Sequence, residues 1–145
     1  MAYDFQVVID AADPHALADW WADALGWETE PTDEDFIRRM VAEGQAPEEA
    51  TITHNGHLKW REGSAIRHPD KPEGGQRGRI LFQLVPEAKT VKNRVHLDLR
   101  VGADNVEREL TRLTGRGATF SHRGQQGPHA WITILDPEGN ELCLS

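Results

Sequence analysis

The stretch Val95-His96-Leu97-Asp98-Leu99-Arg100-Val101 decides how the chain is read. Val95, Leu97, Leu99 and Val101 alternate with His96, Asp98 and Arg100, the period-two pattern of a strand with one apolar and one polar face. A helix is predicted directly after it. Asp104 stands as its N-cap, Glu107 completes a capping box, and Val106, Leu110 and Leu113 form one apolar stripe. The same device occurs near the start of the chain. Residues 3–11 alternate, with Phe5, Val7, Ile9 and Ala11 on one side and Gln6, Val8 and Asp10 on the other. Asp13 then caps a helix, and Pro14 fits its first position, where a missing N–H costs nothing. Leu17, Trp20, Trp21, Ala24 and Leu25 share a stripe that Gly26 closes. Two strand-to-helix starts of one kind, with Gln6 standing where the other has His96, predict two similar halves.

The rest of the chain completes each half. A short strand is predicted from Trp27, then a helix over 33–43 capped by Thr32, with Phe36, Ile37, Met40 and Val41 as its apolar positions. Pro47-Glu48-Glu49-Ala50 reads as a helical turn, Asn55-Gly56 as a tight turn, 64–67 as a strand and 68–75 as a loop. A strand over 79–85 sets Ile80, Phe82 and Leu84 against Leu81, Gln83 and Val85. After the second helix, short strands are predicted at 118–122, 130–135 and 141–144. The turn Asp136-Pro137-Glu138-Gly139-Asn140 joins the last two. The expected fold is α+β: two βαβββ modules, a curved mixed sheet around a cavity, and a helical insert in the first module. The whole chain, 1–145, reads as one domain, with module one at 1–88, its insert at 32–62, and module two at 92–145.

Composition narrows the function classes. Of 145 residues 38% are hydrophobic and five are Trp, enough for a core, while a mean hydropathy of -0.61 points to a soluble chain. The net charge of -8 works against nucleic-acid backbone binding, which needs clustered cations. Arg77, Arg79, Lys89, Lys92 and Arg94 form a local basic group, read as solvated loop and strand edge. No apolar run is long enough to span a bilayer, and the N-terminus lacks a secretion signal. A single cysteine cannot form an internal disulfide, so a cytoplasmic location is expected.

Each helix must cover one sheet face to bury its stripe, which leaves the opposite faces looking into a hollow. Period-two alternation puts Gln6, Val8, Asp10, Gln83, Val85, His96, Asp98, Arg100, Glu141 and Cys143 there. Trp131 lines the cavity or packs under a helix with about equal support, and the insert reads as a lid or as packing on the sheet edge. His54 and His57 flank the Asn55-Gly56 turn, weak spacing for a metal. His122 and His129 bracket an expected exposed loop over 124–128.

The chain resembles the vicinal oxygen chelate superfamily, and within it the small glyoxalase-like proteins. The residues that carry the resemblance are Gln6-Val7-Val8-Ile9 before Asp13-Pro14, the run Trp20-Trp21-Ala22-Asp23-Ala24-Leu25-Gly26-Trp27, Val95-His96-Leu97-Asp98-Leu99, and Asp136-Pro137-Glu138-Gly139-Asn140-Glu141-Leu142. Such folds hold a divalent metal with two side chains from each half, and include lyases, epimerases, ring-cleaving dioxygenases and antibiotic-resistance proteins. Carried over, the resemblance implies Gln6, Gln83, His96 and Cys143 as ligand positions. Cys143 stands where the usual ligand is a Glu, and Glu141 lies two residues before it. It also implies pairing of chains, hence a homodimer. Two amide oxygens, one imidazole and one thiol suit Mg²⁺ or Mn²⁺ poorly, whereas Zn²⁺ accepts His96 and Cys143 with Glu141 or a water.

Two functions are expected to compete. In a metal-assisted lyase or isomerase acting on a small carbonyl compound, Glu141 is the base if burial raises its pKa, and His96 polarises the oxygen. Arg100 holds an anionic group, and Asp98, Asp10 and Trp131 contact the substrate. In a non-catalytic binding or resistance protein, the cavity sequesters an aromatic or apolar small molecule. The bland alternatives are a hydrogen-bonded His96, a Cys143 that is simply a small buried hydrophobe, a rim Glu141, and an Arg100 paired with Asp98 or Asp10.

Overall fold

The computed structural model describes residues 1–70 and 78–145. Packing divides the chain into two compact units, Met1–Pro86 and Glu87–Ser145. The first runs β1 (Val7–Ala11), α1 (Pro14–Leu25), β2 (Glu28–Thr29), α2 (Glu34–Ala42), a 3₁₀ turn (Glu48–Ala50), β3 (Thr51–His54), β4 (His57–Trp60), β5 (Gly63–Arg67) and β6 (Arg79–Leu84). The second runs β7 (Leu97–Leu99), a 3₁₀ turn (Ala103–Asn105), α3 (Val106–Thr114), β8 (Thr119–Gln126), β9 (His129–Leu135) and β10 (Glu141–Leu144).

The repeat is explicit in the pairing. One sheet has the order β1-β6-β5-β2 and the other β7-β10-β9-β8. In each, the first and last strands are parallel and the remaining neighbours antiparallel. This is the α+β, mixed-sheet βαβββ arrangement expected, with α2 and the β3–β4 hairpin inserted between the second and third strands of the first unit.

Alternation sorts the faces as the sequence suggested. In the first unit Ala11, Ile66, Ile80 and Phe82 are buried with Leu17, Ala18 and Trp21 of α1. The Asp13 carboxylate accepts the Ala16 N–H at 3.0 Å, and Gly26, at φ 67°, ends the helix in the left-handed region. In the second unit Leu99, Leu113, Ile132, Ile134, Leu142 and Leu144 form the core.

The insert is fastened by polar groups. Asp33, not Thr32, caps α2, because its carboxylate accepts the Phe36 N–H at 3.0 Å. Asn55 and Gly56 carry φ of 51° and 78° and close the β3–β4 hairpin. His54 Nε2 meets Asp19 at 2.6 Å, and His57 Nδ1 meets Glu34 at 3.3 Å. The two histidines flanking that turn therefore tie the hairpin to α1 and α2. The His15 Nε2–H donates to the Trp60 carbonyl at 2.7 Å, which leaves a lone pair on Nδ1 with no hydrogen-bond partner among the described residues. The ring is 3% exposed, and burial lowers its pKa against the opposing pull of that carbonyl; Lys59 adds to the lowering.

Four expectations need correcting. The strand around Leu97 is three residues long, not 95–101, because its one sheet neighbour among the described residues, β10, ends at Leu144, and Val95 is 79% exposed. The strand expected over 3–11 starts at Val7, where pairing with β6 begins. The Asp104–Glu107 capping box does not form: Asp104 lies in the 3₁₀ turn and Glu107 pairs with Arg123. β8 continues to Gln126, so the loop expected over 124–128 shrinks to a turn, and His122 and His129 are strand residues. Of the basic group, Arg77 lies outside the described residues, as does most of the loop expected over 68–75. Arg79 is engaged by Glu30 and Lys89 by Glu141.

Asp136 locks the β9–β10 turn. It is 2% exposed, and its carboxylate accepts the backbone N–H groups of Glu138 and Asn140 and the Asn140 amide, each at 2.9 Å. Asp136→Ala strands these donors, and unfolding in urea should show a loss of about 3 kcal/mol or more. His15 supplies a pH test. A folded pKa below the unfolded value of 6.5 contributes stability above 6.5 that is lost as pH falls toward the folded pKa. The urea midpoint should therefore drop between pH 7.5 and 5.5, and His15→Gln should flatten that drop.

Candidate functional site

The β7–β10 register builds the site. Leu97 pairs with Leu142, Asp98 with Cys143 and Leu99 with Leu144. With the leucines turned to the α3 side, Asp98 and Cys143 fall on the other face, and alternation adds His96 and Glu141. On β9 the same face carries Thr133, Trp131 and His129, and on β8 it carries His122. Within this unit these groups line a cavity of about 290 Å³, with Lys92 and Ser145 at its margin.

Three donors converge in it. One ligand atom each from His96, Asp98 and Cys143 lie within 4.8 Å of one another, and His96 Nε2 is 3.4 Å from Asp98 Oδ1. Cys143 is buried, and its sulfur lies 3.4 Å from the Thr133 hydroxyl. Burial pushes the thiol pKa up, Thr133 opposes this, and the Asp98 carboxylate adds to the rise. One imidazole, one carboxylate and one sulfur at this spacing fit Zn²⁺, which accepts N, O and S donors, and do not fit Mg²⁺. Asp98, expected as a substrate contact, is thus placed among the donors.

Glu141 lines the cavity but is committed elsewhere. Its carboxylate accepts Lys89 Nζ at 3.2 Å and the Asn93 N–H at 3.1 Å. Burial pushes its pKa up, but its own and Asn93's backbone N–H groups together with Lys89 outweigh that, and the net shift is downward. The expectation that burial carries this group toward neutrality is therefore corrected. The acid is an anchored anion, because Lys89 and backbone N–H groups meet it.

In the first unit the same parallel pairing sets Val7 beside Ile80 and Asp10 beside Gln83. Gln6 accepts an Arg79 N–H at 2.9 Å, while Gln83 sits four residues further along β6, about 13 Å away at strand rise. Gln6 and Gln83 are therefore not brought together as ligands. By register, the partner of Val8 is Leu81, so the place that Cys143 holds in the second unit is apolar in the first. This unit has its own cavity of about 640 Å³, walled by sheet residues such as Leu81 and Gln83 and by Phe36, Lys59 and Trp60 of the insert. Asp10 and Arg100 are exposed and line neither cavity.

Sequence reading missed Lys89 and Asn93 as the partners of Glu141, since nothing local links residues 89–93 to 141. It also missed His122 and His129 as cavity residues because turn-forming Gly127 and Pro128 made the segment read as loop. Asp98 was legible, two residues after His96 on one strand face.

The family model for the glyoxalase-like domain matches residues 6–145. No curated protein matches the chain by sequence. Among solved structures, a fosfomycin resistance protein, FosX, from Mesorhizobium loti is 8% identical, with a TM-score of 0.63 over 99% of this chain and 90% of that one. A glyoxalase/bleomycin resistance protein/dioxygenase family enzyme from Burkholderia phytofirmans is 16% identical, at 0.59 over 96% and 94%. A bleomycin-binding protein from Streptomyces verticillus, solved with copper(II)-bleomycin, is 15% identical, at 0.53 over 100% and 98%. With the repeated βαβββ pairing and the match across nearly its whole length, the chain belongs to the glyoxalase-like domain family.

Proposed function

We propose that the second unit's cavity binds a small oxygen-bearing molecule at a divalent ion, of which zinc is the best fit. The observation that carries this reading is the meeting of His96, Asp98 and Cys143 within 4.8 Å inside a 290 Å³ cavity. Those three residues would hold the ion, which supplies Lewis acidity toward a bound oxygen. The chain's own groups do the rest. Thr133 positions the sulfur, and Lys92 and the anchored Glu141 set the charge at the rim. The similarity to fosfomycin resistance and bleomycin-binding proteins supports a binding or resistance role. The lowered pKa of Glu141 favours this role over turnover, because the expected base is a weak one.

A metal-assisted lyase or isomerase acting on a small carbonyl compound is the second reading. The observation on its side is that His122 and His129 line the same cavity, and imidazole is the side chain most often used for proton transfer. Gln6 and Gln83 have no part in either reading. A homodimer in the cytoplasm accords with the single cysteine and the family, and sedimentation velocity tests the dimer.

Zinc titration against a competing chelator should give about one ion per chain. His96→Ala, Asp98→Asn and Cys143→Ser should each weaken it at least about tenfold, as loss of one ligand in three requires. Wild-type affinity in all three variants would end the proposal. Turnover is read separately, as solvent-deuterium exchange beside the carbonyl of enolisable compounds. The second reading expects exchange that falls on His122→Ala, and absence of exchange leaves binding as the role.

A further inference from the structure

A cluster of polar contacts fastens the insert of the first unit to α1. His15 and Asp19 stand four residues apart on α1, so they present one face to the β3–β4 hairpin. The Trp60 carbonyl of β4 accepts the His15 Nε2–H at 2.7 Å. The Asp19 carboxylate meets His54 Nε2 at 2.6 Å and accepts an Asn55 amide N–H at 3.1 Å. The His15 and His54 rings lie 5.4 Å apart at a tilt of 32°. Beyond this clasp the insert holds itself together. Glu34 of α2 accepts the Leu58 N–H at 2.7 Å, and β3 pairs with β4 from Thr51 to Trp60. Phe36, Lys59 and Trp60 of the insert wall the 640 Å³ cavity, which His15 also lines.

His15 is the part of the clasp that acid attacks. It is 3% exposed, and its Nδ1 has no hydrogen-bond partner among the described residues. A proton taken up there turns a tolerated lone pair into a buried, charged N–H with no acceptor. Lys59 of β4 and His54 of β3 oppose that charge, Asp13 at the α1 cap favours it, and the Trp60 carbonyl is already engaged. The Asp19–His54 contact suits either charge state of its ring, because a carboxylate accepts an N–H from both, so the acid response belongs to His15. We infer that this clasp is an acid-sensitive latch: as His15 takes up a proton, the insert leaves α1 as a unit and opens one wall of the first unit's cavity. Opening gives the charged ring water to donate to and breaks the clasp. Unfolding the whole unit would also expose Leu17, Trp21, Ile80 and Phe82, so the local event comes first. The latch is independent of the ion site, which lies in the other unit.

Amide hydrogen exchange read by mass spectrometry at pH 7.5 and 5.5, with each rate corrected for intrinsic exchange, tests the latch. Peptides covering 51–60 should open several-fold more often at pH 5.5, to a ceiling of about tenfold set by one pH unit below the free imidazole's 6.5. Peptides covering β1, β5 and β6 should change less than about twofold. His15→Gln keeps a donor for the Trp60 carbonyl and takes up no proton, so its 51–60 peptides should show no acid response. Equal hairpin rates at the two pH values in the wild type overturn the inference. So does an acid response that survives His15→Gln, or a rise in β5 and β6 equal to that in the hairpin. Should His15→Gln fail to fold, Lys59→Gln carries the result. With the opposing ammonium gone the closed latch tolerates the proton better, so the acid response should shrink, and an unchanged response overturns the inference.

Discussion

The parallel pairing of the first and last strand in each half is the constraint on which the rest depends. Neither β1–β6 nor β7–β10 is a local hairpin, and each closes a long loop of chain before any contact is gained. Once formed, this pairing fixes which residues stand side by side on the open face. It sets Asp98 beside Cys143 in one unit and Val8 beside Leu81 in the other. Slipping either pair by one residue would turn the donors into the core and the leucines outward. The apolar stripe of the covering helix therefore defends the chemistry of the opposite face.

The two halves share topology and differ in what the shared places carry. The second half keeps an imidazole, a carboxylate and a thiol in one cluster. The first half has spent its equivalent positions on structure: Gln6 serves Arg79, which is also bound by Glu30, and Leu81 is apolar. Its open face is walled by the insert, held to α1 through His15–Trp60 and His54–Asp19, while Glu34 ties α2 to the hairpin within the insert. Glu141 follows the same logic of commitment. A carboxylate with an ammonium and a backbone N–H already on it stays ionised at little cost and makes a poor proton acceptor.

Much of this was legible in particular residues. Asp13-Pro14 announced α1, Asn55-Gly56 the hairpin, and the Asp136–Asn140 run its turn, because each depends on contacts within five residues. Alternation from Val7 to Ala11 and across Ile80 to Leu84 fixed the faces, since a covered sheet must bury one side. Reading failed where a distant partner decides. Asp104 and Glu107 spell a capping box, yet Glu107 is drawn to Arg123 on β8. Residues 95–101 alternate over seven positions, yet among the described residues only three of them pair with a strand.

The chain's own letters thus determined the repeated βαβββ order, the covered and open faces, and the presence of His96, Asp98, Glu141 and Cys143 on the open one, since these follow from short-range propensity and period. Tertiary structure alone decided which of them meet. The β7–β10 register and the contacts from Lys89 and Asn93 separated a three-donor cluster from an anchored Glu141. The physical reason is that ligand geometry depends on distances between residues tens of positions apart in the chain, which no local pattern encodes.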